Sequence, residues 1–505
     1  MNARAASRPS DSGEVLERLR ALREGDAPTH GGKVLSYVYD SGMPELDRLA
    51  NLAAEIARPL NGLDPTTFPS IAAMERDLIA FARRALGGDR RRIGGPMVGS
   101  VTSGGTESCL LAVKTARDLW RAENPRLAAR LRPRLVAPVT AHAAFQKAAR
   151  LFDLEWTPVP CRADGSVRAS EVIRRLDPAT ALVVVSAPAY PSGALDSIAA
   201  VSRAAQTRGI ACHVDACFGG FALPWWPDAP VWDLRLPGVT SISADLHKFG
   251  YAPKGVSVLL HRGRARHRAQ FFSTTQWPGY PVVNPTLLGS RSASPLAAAW
   301  AITQRLGAAG YRELTASCVR SVAVIEAAVS GITGLAVQGR PLGPAIALVA
   351  DESVPASERV DPHHLADEMV GLGFRIQHQP GLRQENGVRL PHTAHLTVTP
   401  VTERTLPELT AALRRAADTV RGRAQASAGP ALAALRLLGY GSGERVPGPA
   451  AAWTILRVAG AARGVTGGGR AAPLMALTER LPAPVAEALL TELLARLDEP
   501  SAGEA

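Results

Sequence analysis

Through the middle of the chain, short apolar runs alternate with longer stretches whose apolar positions recur at helical spacing. Runs at 134–138, 181–186, 210–215 and 239–244 read as buried strands, and the stretches at 109–120, 142–152 and 198–208 read as helices. This rhythm predicts βαβ units, hence an α/β fold with a mostly parallel sheet sandwiched by helices. Ligands of such sheets collect beyond the carboxyl ends of the strands. Asp215, His247 and Lys248 all fall at predicted strand ends, which would bring them together.

The flanks carry other patterns. Residues 1 to about 30 look like a mobile arm with one short amphipathic helix at 15–22, and helices follow at 44–58 and 71–86, the latter closed by Gly87-Gly88. From about Pro295 a long helix runs to Ala328. A smaller α/β unit follows, with strands at 345–349 and 395–399 and helices at 362–372 and 406–420. The last eighty residues are rich in Ala, Leu and Gly, with helices near Leu432 and Val485 around a flexible segment at 460–469. The organisation expected is an N-terminal arm and helical segment (1–98), a large domain (99–310), a small C-terminal α/β domain (311–425) and a helical extension (426–505).

Composition narrows the function. With 505 residues, 46% hydrophobic and 20% charged, the chain is an ordinary globular protein. No apolar run approaches the roughly 18 residues that span a bilayer, and no signal-peptide pattern opens the chain. A cytoplasmic protein without a membrane anchor is expected. The five cysteines, an odd number without CxxC spacing, read as reduced and mostly buried, and no metal-ligand set is expected. The net charge of +12 is spread along the chain, and its densest run, Arg90-Arg-Arg92, reads as a solvated face, so nucleic acid is not an expected partner. Only five lysines stand against fifty-two arginines. Chemistry that needs a neutral amine therefore has few candidates, because guanidinium stays protonated.

Before the helix at 109–120 lies Gly99-Ser-Val-Thr-Ser-Gly-Gly-Thr-Glu-Ser108. Small residues with free N–H groups ahead of a helix attract anions, although similar loops also cap purely structural helices. An anion cradle, a carboxylate and a lysine at separate strand ends are the parts of a pyridoxal phosphate site. The lysine holds the cofactor as a Schiff base and must be neutral to attack, which burial beside cations would promote. The carboxylate keeps the ring nitrogen protonated so that the ring can accept electrons. Asp215 is the candidate carboxylate, while the residues alone do not decide firmly between Lys248 and Lys254.

Five longer segments carry a resemblance: Val101-Thr-Ser-Gly-Gly-Thr-Glu-Ser108, Ala137-Pro-Val-Thr-Ala-His-Ala-Ala-Phe145, Ser186-Ala-Pro-Ala-Tyr-Pro191, His213-Val-Asp-Ala-Cys-Phe-Gly-Gly-Phe221 and Ser241-Ile-Ser-Ala-Asp-Leu-His-Lys-Phe-Gly-Tyr-Ala-Pro-Lys-Gly255. A sixth runs from Gln270 to Arg291. The chain resembles the sphingosine-1-phosphate lyases, a branch of the group II pyridoxal-phosphate decarboxylases with the aminotransferase-like fold type I. The resemblance implies that Gly104, Gly105 and Thr106, with His247, hold the cofactor phosphate. It implies that His142 stacks on the ring, Asp215 pairs with its nitrogen and Lys248 is the covalent anchor. Ser290 would reach the cofactor of the neighbouring subunit in a homodimer with shared active sites. Lys254, Tyr190 and Tyr39 would line the substrate side and assist proton transfer or substrate binding, as would Asn61.

Two segments depart from the family pattern. An Asn-Pro-Leu-His-Pro segment reads Asn61-Gly-Leu-Asp-Pro65 here, so Asp64 puts a carboxylate where a histidine would favour a phosphate. A Gly-Gly-Ile-Tyr segment reads Gly279-Tyr-Pro-Val282. The expected activity is cleavage of a carbon–carbon bond in a small amino alcohol, giving an aldehyde and an amine, with a substrate that need not be a sphingoid phosphate. The alternatives are an amino-acid decarboxylase and a non-catalytic protein of the same fold.

Overall fold

Seven strands build the central sheet: β1 (Met97–Thr102), β2 (Arg134–Pro138), β3 (Glu155–Val159), β4 (Thr180–Ser186), β5 (Ala211–Asp215), β6 (Ser241–Ala244) and β7 (Ser257–Arg262). The computed structural model describes residues 11–89, 95–427, 429–458 and 471–499. The first ten residues of the expected arm, the run Arg90-Arg-Arg92 and the segment 460–469 lie outside the described residues. The strand order is β1-β7-β6-β5-β4-β2-β3. Pairings from β3 through β6 are parallel, and β7 runs antiparallel to β1 and β6.

Successive side chains of a strand point to opposite faces, and the two cores follow that rule. Val183 and Val185 of β4 join the core on one face, and Leu182 and Val184 join the core on the other, with Val113 and Phe145. The four strands expected from the pattern are present. β1, β3 and β7 were not anticipated. β3 is an edge strand, half-buried along most of its length and interrupted by Pro158, so it lacks an apolar run. β1 contains Gly99, where a Cβ would lie 2.2 Å from the Leu259 carbonyl oxygen, so packing excludes the side chain that would have marked the strand.

The helix after β1 is Gly105–Glu123 and starts four residues before the expected 109. Its first turn, Gly-Thr-Glu-Ser, has no apolar stripe. It is buried through polar contacts: Ser108 Oγ lies 2.7 Å from Thr102 Oγ1 and 3.0 Å from Ser257 Oγ. The helices Pro44–Ala57 and Pro69–Ala85 match their expected positions.

A long helix, Ser294–Ser330, bends at Gly307, whose φ is +53°, and leads to a four-stranded antiparallel sheet. Its strands are Leu335–Val337, Ala345–Ala350, Thr393–Thr397 and Gln377–Gln379, covered by the helices Pro362–Gly371 and Thr402–Val420. The helices Gly429–Leu437, Pro449–Val458, Ala472–Arg480 and Ala483–Leu497 share a separate core that includes Leu435, Leu456 and Val485. All five cysteines are free and buried. No described helix is long and apolar enough to cross a membrane.

Candidate active site

The reversal of β7 shapes the site. β6 ends at Ala244 at the carboxyl edge of the sheet, and β7 must begin at that same edge because it runs the opposite way. The connection 245–256 therefore leaves from and returns to the carboxyl edge, carrying both Lys248 and Lys254. From neighbouring strand ends come Gly104 and Gly105 after β1, His142 after β2, Tyr190 after β4 and Asp215 closing β5. They line one cavity of about 630 Å³ together with Thr106, Tyr39, His247 and both lysines.

One end of the cavity is built for an anion. The helix Gly105–Glu123 points its first turn into it, and the opening N–H groups of a helix have no intrahelical partner. Backbone and side chains pack closely there: a Cβ at Gly105 would lie 2.5 Å from Asp245 Oδ2 and 2.9 Å from Cys217 Sγ, and one at Gly104 would lie 3.1 Å from His247 Cε1. Glu107 braces the loop by accepting from the Ser103 and Leu287 N–H groups, each at 2.6 Å. Asp215 is buried, and its Oδ1 accepts from the Cys217 N–H at 3.0 Å, which fixes the carboxylate at the cavity wall.

Lys248 differs from expectation. Burial alone would push its pKa down, but Asp245 Oδ2, 3.0 Å from Nζ, holds it well above the ordinary lysine value. The nearest ionised neighbour is thus a carboxylate, where a cation had been expected. Burial opposes ionisation of Asp245 too, yet Lys248 and His247, the latter with Nε2 at 3.4 Å, keep its carboxyl well below the usual range.

The depressed amine is Lys254. Much of the residue is exposed, but its Nζ donates to the His247 carbonyl at 2.9 Å and sits 4.4 Å from the centre of the Tyr39 ring. Burial of that end first, and the charge of Lys248 second, bring its pKa down to about 8. Tyr190 goes the other way: burial pushes its phenol up to about 12, and the hydroxyl donates to Gln377 Oε1 at 2.6 Å. Tyr39 is raised further, again by burial. Both tyrosines therefore stay protonated in the ordinary pH range.

Asn61, Ser290 and Asp64, expected at the site, lie outside this cavity's lining in a single chain, as does Tyr280. Asn61 Nδ2 donates to Ser290 Oγ at 3.1 Å, and Ser290 lines an adjoining cavity of about 280 Å³ that shares Ser103 and Gly255 with the main one. Asp64 lies in an exposed turn, where it accepts from the Thr66 N–H and hydroxyl and the Thr67 hydroxyl; the side-chain bonds hold its carboxyl down at about 2. Tyr280 packs edge-on against Trp277, with ring centres 4.9 Å apart.

The residues present fit pyridoxal phosphate: a helix start where glycines leave little room for side chains, a buried carboxylate and a half-buried lysine, all lining one cavity. Residues 43–334 match the pyridoxal-dependent decarboxylase conserved domain. The chain belongs to this family. Its relatives in the pyridoxal-dependent decarboxylase family include the sphingosine-1-phosphate lyase of Arabidopsis thaliana, 32% identical over 86% of this chain and 76% of that one. The sphingosine-1-phosphate lyase of Burkholderia pseudomallei has a similar solved structure, with a TM-score of 0.74 and 34% identity over 83% of this chain and 94% of that chain. The Lactobacillus brevis glutamate decarboxylase, at 20% identity and a TM-score of 0.71 over 84% of this chain and 96% of that one, shares the fold. The protein is a pyridoxal-phosphate-dependent lyase of fold type I, on the sphingosine-1-phosphate lyase branch.

Sequence reasoning missed three cavity residues. Asp245 stands three positions before Lys248, the spacing at which side chains meet on one turn, so a signal existed. Glu107, two positions after the glycine pair, also left a trace as an acid in the buried first turn of a helix. Gln377 left none: it arrives from the small sheet and bridges Tyr190 to the Tyr37 hydroxyl, which accepts from its Nε2 at 2.6 Å.

Proposed function

We propose that this lyase cleaves the bond between the amine-bearing and hydroxyl-bearing carbons of a 2-amino alcohol, releasing an aldehyde and an amine. The observation that carries the reading is the cation set of the cavity. Among its described lining residues, Lys248 and Lys254 are the only lysines or arginines, so no arginine stands ready for the carboxylate of an amino acid. That arrangement disfavours the decarboxylase alternative.

In this reading Lys248 anchors the cofactor, the N–H groups at Gly104, Gly105 and Thr106 hold its phosphate with His247, His142 lies against its ring, and Asp215 keeps the ring nitrogen protonated. When bound, the cofactor supplies an electron sink for the bond that breaks. Lys254 takes the proton from the substrate hydroxyl, a role its neutral form can fill. Tyr190 and Tyr39, protonated throughout, donate hydrogen bonds. A cytoplasmic homodimer would bring Ser290 and the Asn61–Asp64 turn to the neighbouring site, in keeping with their lying outside the lining of the Lys248 cavity in one chain. The fixed charge of Asp64 argues for a substrate without a phosphate.

Supplying the holoenzyme with 2-amino alcohols, their phosphates and amino acids tests the reading. Aldehyde without CO₂ is expected, and faster with the free amino alcohol than with its phosphate. Release of CO₂ from an amino acid without aldehyde would reject the lyase reading.

The pH profile isolates Lys254. With a pKa of about 8, roughly a tenth of the amine is neutral at pH 7, against about one part in three thousand at an ordinary lysine. A base must be neutral to act, so kcat/KM should rise with pH and level off above about 8. Lys254→Arg, charged at every accessible pH, should remove that limb and lower turnover by about 10²–10⁴-fold while leaving bound cofactor in place. An unchanged limb in the variant assigns the base elsewhere.

A further inference from the structure

Among the described residues, two groups of side chains could ligate a metal, and only one lies away from the cofactor cavity. It forms where the helix Ala472–Arg480 meets the small sheet unit. His363 on the helix Pro362–Gly371, His392 just before the strand Thr393–Thr397, and Glu479 each place a ligand atom within 4.8 Å of the others. His363 Nε2 lies 2.7 Å from Glu479 Oε1, and His392 Nδ1 lies 3.7 Å from Glu479 Oε2. The three side chains are 1%, 9% and 5% exposed. The two imidazoles stack with centres 4.5 Å apart.

The hydrogen bonds around this group orient it. His392 Nε2 lies 3.0 Å from Asp361 Oδ2, which turns the ring so that its other nitrogen points toward Glu479. Its Nδ1 faces the carboxylate of Glu479, 3.7 Å from Oε2. A carboxylate behind an imidazole whose other nitrogen points forward is how metal-binding histidines are held. His363 Nδ1 is buried without a partner. Charge points the same way. Glu479 has one guanidinium beside it, Arg389 at 3.1 Å from Oε2, and Asp361 has no lysine or arginine partner among the described ion pairs, while the adjacent His378 is occupied with Asp367 at 3.1 Å.

We propose that His363, His392 and Glu479 bind one zinc-type divalent cation, with Asp361 orienting His392. A tetrahedral zinc with bonds of about 2.0–2.1 Å spaces its ligands about 3.4 Å apart, and the separations of 2.7 and 3.7 Å bracket that spacing. Two imidazoles and a carboxylate suit zinc among the common divalent ions. The fourth position is left for water. Both histidines belong to the small sheet unit and the glutamate to the terminal helices, so the ion fastens one to the other and its binding is coupled to their docking. The ligands are far apart in sequence, which is why no spacing motif announced them.

The test uses the full-length holoenzyme, dialysed against a chelator and titrated with zinc. One tightly held zinc per chain and a Tm that rises with zinc are expected. Glu479→Gln and His392→Ala should lose the ion, and Asp361→Asn, which keeps the helix cap, should bind it about 10–100-fold more weakly. Cys217→Ser should retain it, separating this site from the Cys109, Asp215 and Cys217 group beside the cofactor. The proposal is overturned if wild type binds no zinc, as a cluster bridged only by protons would behave, or if the ion is lost in Cys217→Ser alone. Should the ligand variants fail to fold, cobalt in the wild-type protein decides. Visible d–d absorption without thiolate charge transfer supports the site, and a thiolate band refutes it.

Discussion

Lys248→Ala is expected to abolish the visible absorbance of lysine-linked cofactor and to lower turnover by roughly 10⁴-fold or more, the scale seen when a covalent group is removed. The same change also strips a buried carboxylate of its partner. Asp245 is buried and its ion pair with Lys248 measures 3.0 Å, so alanine leaves the carboxylate with only His247 beside it, at a cost of up to about 3–5 kcal/mol. Loss of activity alone would therefore mix chemistry with folding. Lys248→Arg separates them: guanidinium preserves the charge beside Asp245 but does not deprotonate, so it cannot form the covalent link. The arginine variant should keep a Tm close to wild type and still show neither the absorbance nor turnover. Lys254→Ala, in contrast, should retain the absorbance. An arginine variant that keeps both the band and the activity would remove Lys248 as the anchor.

That prediction depends on a distinction that was only partly legible in the sequence. The apolar runs placed β2, β4, β5 and β6 correctly, and with them the strand ends that carry His142, Tyr190, Asp215 and Lys248. Periodicity carries no strand direction, however. The antiparallel course of β7 returns Lys254 to the same edge as Lys248 and lets one amine depress the other. A parallel β7 would have begun at the opposite edge of the sheet. The expected cationic surroundings of Lys248 failed for a related reason: Asp245 is adjacent in the fold of one short turn, and desolvation, the largest single influence, is outweighed only by Asp245 together with the other acidic groups around the amine.

Other parts of the site were illegible because they depend on contacts between distant segments. Gln377 comes from the small sheet, and the hydrogen bond between Asn61 and Ser290 joins two loops far apart in the chain. Asp64 illustrates the limit of reading charge alone. Its departure from the family pattern is visible at once, but its three hydrogen bonds to Thr66 and Thr67 also give it a turn-forming role that a substitution table does not show.

Asp215→Asn should lower kcat by about 10²–10³-fold, the scale of losing one preorganised electrostatic partner, with cofactor still bound. Asparagine keeps the volume and a carbonyl oxygen, so the bond accepted from the Cys217 N–H at 3.0 Å can survive and the end of β5 need not move. What disappears is the negative charge. A ring nitrogen facing a neutral amide is held in its protonated form far less strongly, because one unit of pKa corresponds to about 1.4 kcal/mol of interaction with the charged form. Burial strengthens the effect, since water is not there to screen the pair. The loss should therefore appear in kcat with little change in KM if, as proposed, Asp215 serves the cofactor. A variant with wild-type kcat would reassign the ring partner, and one that raises KM alone would move Asp215 to the substrate side.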